Sequence, residues 1–117
     1  MSYVRRMLQE AAIVSRLKRD DRRFYLGAIG IRADGTKVRA CNGNPKEPTR
    51  QHHCEYRLSR KLGRNSVVFV SRTNGRGELA TARPCQDCEK VLRDRGVTRC
   101  YYSISDSEYG CLSLSRM

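Results

Sequence analysis

Nowhere does the sequence hold an apolar run approaching the ~18 residues that a membrane-spanning helix needs, so no span and no membrane partner are expected. Its opening segment, MSYVRRMLQEAAIVSRLKRD, lacks an uninterrupted apolar stretch and carries charge within every turn. It is therefore read as a helix and not as a secretory signal, and a cytoplasmic protein with reduced thiols follows as the expectation. Internal repeats and low-complexity tracts are absent too, and 117 residues suit one domain, 1–117, with a core of its own. Acidic residues are scarce: 12 against 24 basic ones, for a net charge of +12. Lysine is scarcer still, with 5 against 19 arginines. Arginine's planar fork suits bidentate phosphate contacts, so this balance points to a polyanionic partner. Histidine occurs only at His52 and His53, so any imidazole ligand is one of these two.

Cysteine, by contrast, is plentiful, at 41, 54, 85, 88, 100 and 111. A disulfide framework is the rival explanation. It is set aside because the chain has periodic elements enough to build a core without staples. Cys41, Cys100 and Cys111 lie in apolar, strand-like contexts and are expected to be small buried thiols.

Val4, Met7, Leu8, Ala11, Val14 and Leu17 recur at helical spacing and predict an amphipathic helix over 3–19. FYLGAIGIRADGTKVRAC reads as a hairpin turning at Asp34-Gly35, and CNGNPKEPTRQHH as a polar loop. HCEYRLSRKLG predicts a short helix stopped by Gly63. VVFVSR is a buried strand, TNGRGELATAR a Gly-rich connection, and PCQDCEKVLRDRG a helix with Pro84 as its first residue and Gly96 at its end. VTRCYYSIS and CLSLS are two more strands. With only a short turn between them, no crossover helix fits, and they must pair antiparallel. The order argues for a mixed sheet of four to five strands with helices on both faces, a three-layer α/β/α arrangement.

Cys85 and Cys88, at i and i+3 on a helix start, present two sulfurs to one side, where the helix N-terminus stabilises thiolate charge. Catalytic zinc takes three protein ligands and keeps a fourth position open. The third ligand must come from elsewhere, from His52 or His53. Glu55, two residues beyond His53, is a carboxylate placed to act on water without being a ligand itself.

His53-Cys54-Glu55 followed by Pro84-Cys85-Gln86-Asp87-Cys88 is the H-x-E, P-C-x-x-C pattern of zinc nucleobase deaminases, and the chain resembles the cytidine deaminase-like superfamily over most of its length. The resemblance implies Zn2+ held by His53, Cys85 and Cys88. It implies Glu55 as the proton shuttle that serves water, the ring N3 and the leaving amine. The Cys54 backbone N–H would face the pyrimidine O2 and the Arg83 carbonyl the departing amine, while Asn42 or Asn44, with Asn42 preferred, would contact the sugar. Three departures stand out. Cys54 replaces a residue that is usually small, and, turned about 100° from His53, it is expected to pack and not to ligate. His52 is an alternative ligand by spacing alone, or a phosphate contact. Arg83 replaces the Ser or Thr of many members.

The substrate reading weighs three classes. Deamination of cytosine in a polynucleotide, DNA ahead of RNA, explains the charge. Arg50, His52, Arg57, Arg60, Lys61, Arg72 and Arg76 would then contact nucleic acid or phosphate, with Tyr56, Tyr101, Tyr102 and Tyr109 as stacking candidates. Deamination of free cytidine, deoxycytidine or dCMP leaves the charge unexplained; small members acting on free pyrimidines are commonly oligomers, so self-assembly is open. A non-catalytic zinc module binding nucleic acid leaves Glu55 without a role. Antiparallel final strands are found, within the superfamily, in free cytidine deaminases and bacterial toxin-type DNA deaminases. They argue against the adenosine-acting tRNA enzymes and the vertebrate editing enzymes.

Overall fold

A computed structural model describes residues 2–16, 24–41 and 54–114. The first helix, α1 (Tyr3–Ser15), is capped by Ser2, whose hydroxyl accepts from the Arg5 N–H at 3.2 Å. Met7, Leu8, Ala11 and Val14, one stripe at 3.6-residue spacing, are buried against the sheet. The helix closes at Ser15, with Arg16 as its C-cap, and residues 17–19 of the predicted helix lie outside the described residues. Among the described residues no helix is long and apolar enough to cross a membrane.

β1 (Phe24–Ile31) and β2 (Lys37–Cys41) form the expected hairpin, in which Asp34 accepts from the Thr36 N–H at 2.8 Å and Gly35 takes φ +89°. β3 (Ser66–Asn74) is the centre of the sheet, and its β-branched run is buried on both faces. The strands β4 (Leu79–Ala80), β5 (Val97–Ser103) and β6 (Tyr109–Ser113) complete it. The order is β2-β1-β3-β5-β6, with β4 on the end of β3; β3 and β5 are parallel, and every other pair, β5–β6 included, is antiparallel. β4 falls inside the segment expected to be a plain connection. The Asn74 carboxamide creates it by accepting from the N–H groups of Arg76 and Glu78 at 2.9 and 3.0 Å, folding the chain back onto β3.

Strand alternation sorts the two faces. Ile29 and Phe69 pack with Met7, Leu8, Ala11 and Val14 under α1. Ala28, Val68, Val70 and Cys100 pack on the other face with α2 (Cys54–Ser59) and α3 (Gln86–Asp94), which contribute Cys54, Leu58 and Leu92. The three layers are those expected. Two hydroxyls of β3 tether α1: Ser71 donates to the Leu8 carbonyl at 2.6 Å, and Thr73 pairs with Ser15 at 2.9 Å.

Close approach of α1 makes Gly27 obligatory, since a Cβ there would collide with the Ala11 carbonyl oxygen and the Ser15 nitrogen. Backbone cannot yield as a side-chain tip can. Gly27→Ala is expected to cost about 3 kcal/mol, the upper end for overpacking, and to lower the thermal midpoint by on the order of 10 °C. Gly63→Ala, where a Cβ meets nothing within 4 Å, should leave it unchanged in the same melting experiment.

Two helix boundaries differ from expectation. α2 stops at Ser59, short of Gly63, where guanidiniums from elsewhere take the carbonyl of its last residue and those of the next two: Arg95 donates to Ser59 at 2.8 Å and to Arg60 at 3.3 Å, and Arg32 to Lys61 at 2.6 Å. α3 starts at Gln86 with Cys85 as N-cap at φ −69°, ψ 166°, so Pro84 stands before the helix and not in it. Its end is as predicted, with Gly96 at φ +92° just past the Arg95 cap. No disulfide links any of the six cysteines, all of which are described. Cys100 is buried as expected and Cys41 half-buried, but Cys111 is exposed, because α1 does not extend over the edge strand β6.

Candidate functional site

The site is built where the N-termini of α2 and α3 come together on one face of the sheet. Cys54 opens α2 and is wholly buried, its thiol donating to the Ala40 carbonyl of β2 at 3.3 Å. That bond turns its sulfur toward the sheet, in the packing role expected of it. Glu55, the next residue, is rotated about 100° around the helix and is also buried, at 4% exposure.

α3 brings the two remaining sulfurs. Cys85 is exposed at the N-cap, and Cys88, one turn in, is buried. Burial pushes the Cys88 thiol far above its ordinary range, and the Glu55 carboxylate beside it and the neighbouring Cys85 push the same way. Burial also raises Cys54, with Glu55 adding to the rise. Cys88 thus lies beside both Glu55 and Cys85, where a thiolate would need a cation alongside it. Two soft sulfurs at N-cap and third helical position, beside a buried carboxylate, suit zinc better than magnesium or calcium, which prefer oxygen. Among the described residues no three His, Cys, Asp or Glu side chains form a metal-sized cluster by themselves. The set expected from the sequence also needs His53, which immediately precedes α2. His53, His52, Asn42, Asn44 and Arg50 all lie outside the described residues.

The chain path into Cys85 depends on Ser103, which sequence reasoning passed over. Buried at the end of β5, its hydroxyl donates to the Ala80 carbonyl at 2.6 Å and accepts from the Arg72 N–H at 3.2 Å, while its carbonyl accepts from Ala82 at 2.9 Å. One serine thus ties β3, β4 and β5 together three residues before Cys85. A polar residue after an apolar strand was the only signal for it. The Arg83 guanidinium lies 5.9 Å above the Tyr102 ring and donates to its hydroxyl at 3.3 Å. Tyr102 is 9% exposed and part of the core, beneath Gly110, and so supports Arg83 instead of offering a face to a base.

The other basic candidates are spread out. Arg57 is half-buried on α2, and Arg72 lies at the C-terminal end of β3 on the same sheet face as the site. Arg76 is exposed at the β3–β4 turn. Arg60 and Lys61 follow the C-terminus of α2, at the end away from Glu55, and the Lys61 ammonium donates to the Arg39 carbonyl at 2.6 Å. Tyr101 and Tyr109 project from the opposite face of the sheet, toward the side of α1.

This chain belongs to the family described as the cytidine and deoxycytidylate deaminase zinc-binding region, which matches residues 1–104. It is accordingly a zinc-dependent hydrolytic deaminase acting on cytidine or cytosine. Among solved structures, it is similar to cytidine deaminase from Burkholderia pseudomallei, at 18% identity over 97% of this chain and 94% of that one, with a TM-score of 0.64. It is also similar to cytidine deaminase from Mycobacterium leprae, at 17% identity over 97% and 95%, with a TM-score of 0.63. At such identities the likeness is one of fold. No match was found among curated proteins.

Proposed function

We propose that this chain converts cytosine to uracil within a polynucleotide, DNA ahead of RNA, with His53, Cys85 and Cys88 holding the zinc ion and Glu55 moving the protons. The observation that carries the chemistry is the burial of Glu55 beside Cys88 at two converging helix starts. Zinc, when bound, supplies a Lewis acid that brings the pKa of water to about 7. The Glu55 carboxylate accepts the proton that water gives up as its oxygen bonds to C4 and delivers it to N3; it then takes the proton of the new C4 hydroxyl and passes it to the amino group as the C4–N bond breaks. Water and cytosine are consumed; uracil and ammonia leave. The Cys54 N–H is assigned to the pyrimidine O2, the Arg83 carbonyl to the leaving amine, and Asn42 or Asn44 to the sugar.

What supports a polymeric substrate is the charge of +12, carried mostly by arginine, since a free nucleoside offers no phosphate and a mononucleotide only one such group. Arg72, on the site face of the sheet, is the described cation best placed for a phosphate. Keeping two sulfur ligands reduced suits action in the cytoplasm. A second reading, deamination of free cytidine, deoxycytidine or dCMP, is favoured by a separate observation. The fold superposes on two cytidine deaminases over nearly the whole of both chains, which leaves little of this chain to serve as an added grip on a strand.

Incubating zinc-loaded protein with single-stranded DNA, double-stranded DNA, RNA, cytidine, deoxycytidine and dCMP, and measuring uracil formed in each, separates the two. Product from strands supports the proposal. Product from free species alone replaces it with the second reading, and none from any leaves a zinc module without chemistry.

A further inference from the structure

On the sheet face opposite the catalytic cluster, β5 and β6 extend past the cover of α1. The uncovered surface carries Arg99 and Tyr101 of β5 in register with Ser113 and Cys111 of β6, and Tyr109 one pair further along. Tyr3, at the start of α1, closes it on the other side. Four rings run in a line: Tyr3 meets Phe69 edge-on at 5.8 Å, Phe69 stacks on Tyr101 at 5.3 Å and 10°, and Tyr101 meets Tyr109 at 6.3 Å and 67°. Phe69 is buried, but Tyr3 is 51% and Tyr109 38% exposed. One face of Tyr101 lies on Phe69, and Cys111 is its partner across the strand pair.

Three guanidiniums frame the rings. Arg6 lies 5.9 Å over Tyr3, Arg5 lies 5.7 Å over Tyr109, and Arg99 donates to the Tyr101 hydroxyl at 3.4 Å. Arg5 also holds the Ser107 carbonyl at 2.8 Å. A guanidinium lying flat on a ring keeps most of its N–H edge for an anion. None of the three is ion-paired to a carboxylate among the described residues. Among the described acids, Glu10, one turn beyond Arg6 on α1, is paired with Lys37 at 2.8 Å, and on the turn before Tyr109 Asp106 accepts from the Leu79 N–H at 2.9 Å while Glu108 is exposed.

We infer that this face is a stacking surface for single-stranded nucleic acid, its tyrosines taking bases and Arg5, Arg6 and Arg99 taking phosphates. Exposed rings interleaved with cations are what sequence-tolerant binding of single strands requires. A second copy of the chain fits less well. A two-fold contact would set the three arginines against themselves, and juxtaposed like charges are unfavourable. The inference rests on the polynucleotide reading and deepens it: the strand held here lies outside the reacting nucleotide, behind the sheet.

The test uses a fluorescein-labelled oligothymidine, which contains no cytosine to react. Because the protein has no tryptophan, its own emission reports tyrosine. Binding is expected to quench that emission. Tyr109→Ala should weaken binding about tenfold, in line with the loss of one stacked base. Arg6→Ala with Arg99→Ala should flatten the salt dependence by roughly 0.7 in log–log slope for each phosphate no longer engaged. All variants should deaminate free deoxycytidine at the wild-type rate if that substrate is turned over. Three results would overturn the inference: variants that bind the oligothymidine as tightly as wild type, inorganic polyphosphate competing equally well without quenching, or sedimentation showing a dimer that Tyr109→Ala dissolves. Oligothymidine binding on this face with uracil formed only from free species would sink the polynucleotide reading and leave the surface standing. Deaminated strands with unaffected variants would do the reverse.

Discussion

Glu55→Gln is expected to abolish turnover while leaving zinc and fold in place. Burying an ionisable carboxylate at 4% exposure is costly. A fold seeking only stability would place an apolar side chain here, against Leu58 and the sheet. The proton-moving role proposed for Glu55 gives that placement a purpose. Glutamine has nearly the same shape and keeps a hydrogen-bonding carbonyl, so packing on α2 survives, but it cannot accept and return a proton. Positioned proton transfer contributes about 10²–10⁴-fold, and Glu55 is assigned four transfers in one cycle. The loss in kcat should therefore reach at least the top of that range. The KM, the zinc content by elemental analysis and the melting temperature should change little. A variant retaining a tenth of wild-type kcat would remove Glu55 from the mechanism.

The candidate cluster proposed here was suggested by the sequence because chemistry restricts its parts. Few residue types bind zinc, only two histidines exist, and Cys85 and Cys88 are read from spacing alone. α1, the hairpin and the final antiparallel pair were equally legible, since periodicity and a turn too short for a crossover are local signals. Where the sequence misled, the deciding contact was distant. α2 ends at Ser59, where Arg32 and Arg95, far off in the chain, take the carbonyl of its last residue and those of the next two, whereas Gly63 is only the nearest local stop signal. β4 exists because one carboxamide, Asn74, folds a Gly-rich stretch back on β3. In Tyr101-Tyr102, adjacent tyrosines face opposite sides of the sheet, and only the register with Phe69 and Gly110 tells which ring is core and which meets solvent. Burial of Cys111 failed for a similar reason: an apolar strand at the edge, beyond the covering helix, has one open face.

The N-cap position of Cys85 leads to a prediction in which metal binding and intrinsic stability move in opposite directions. Cysteine makes no side-chain cap hydrogen bond here, so the N–H groups of the first turn of α3 lack a partner from it. Serine is among the preferred N-caps, and its hydroxyl would accept from the N–H of Asp87 or Cys88, a gain of about 0.5–1 kcal/mol. In zinc-free protein, urea unfolding of Cys85→Ser should accordingly show a higher midpoint than wild type. With zinc present the order should reverse. Loss of one thiolate ligand is expected to weaken zinc affinity by more than the 10–100-fold that follows loss of a ligand's outer hydrogen-bond partner, and the stabilisation that bound metal lends the folded state falls with it. Competition against a chromophoric chelator measures the first effect and melting with and without zinc the second. Cys88→Ser should lose zinc in the same way but gain nothing in its absence, because Cys88 lies inside the first turn, where serine has no cap to make. If Cys85→Ser bound zinc as tightly as wild type, Cys85 would not be a ligand, and two described sulfurs would be reduced to one.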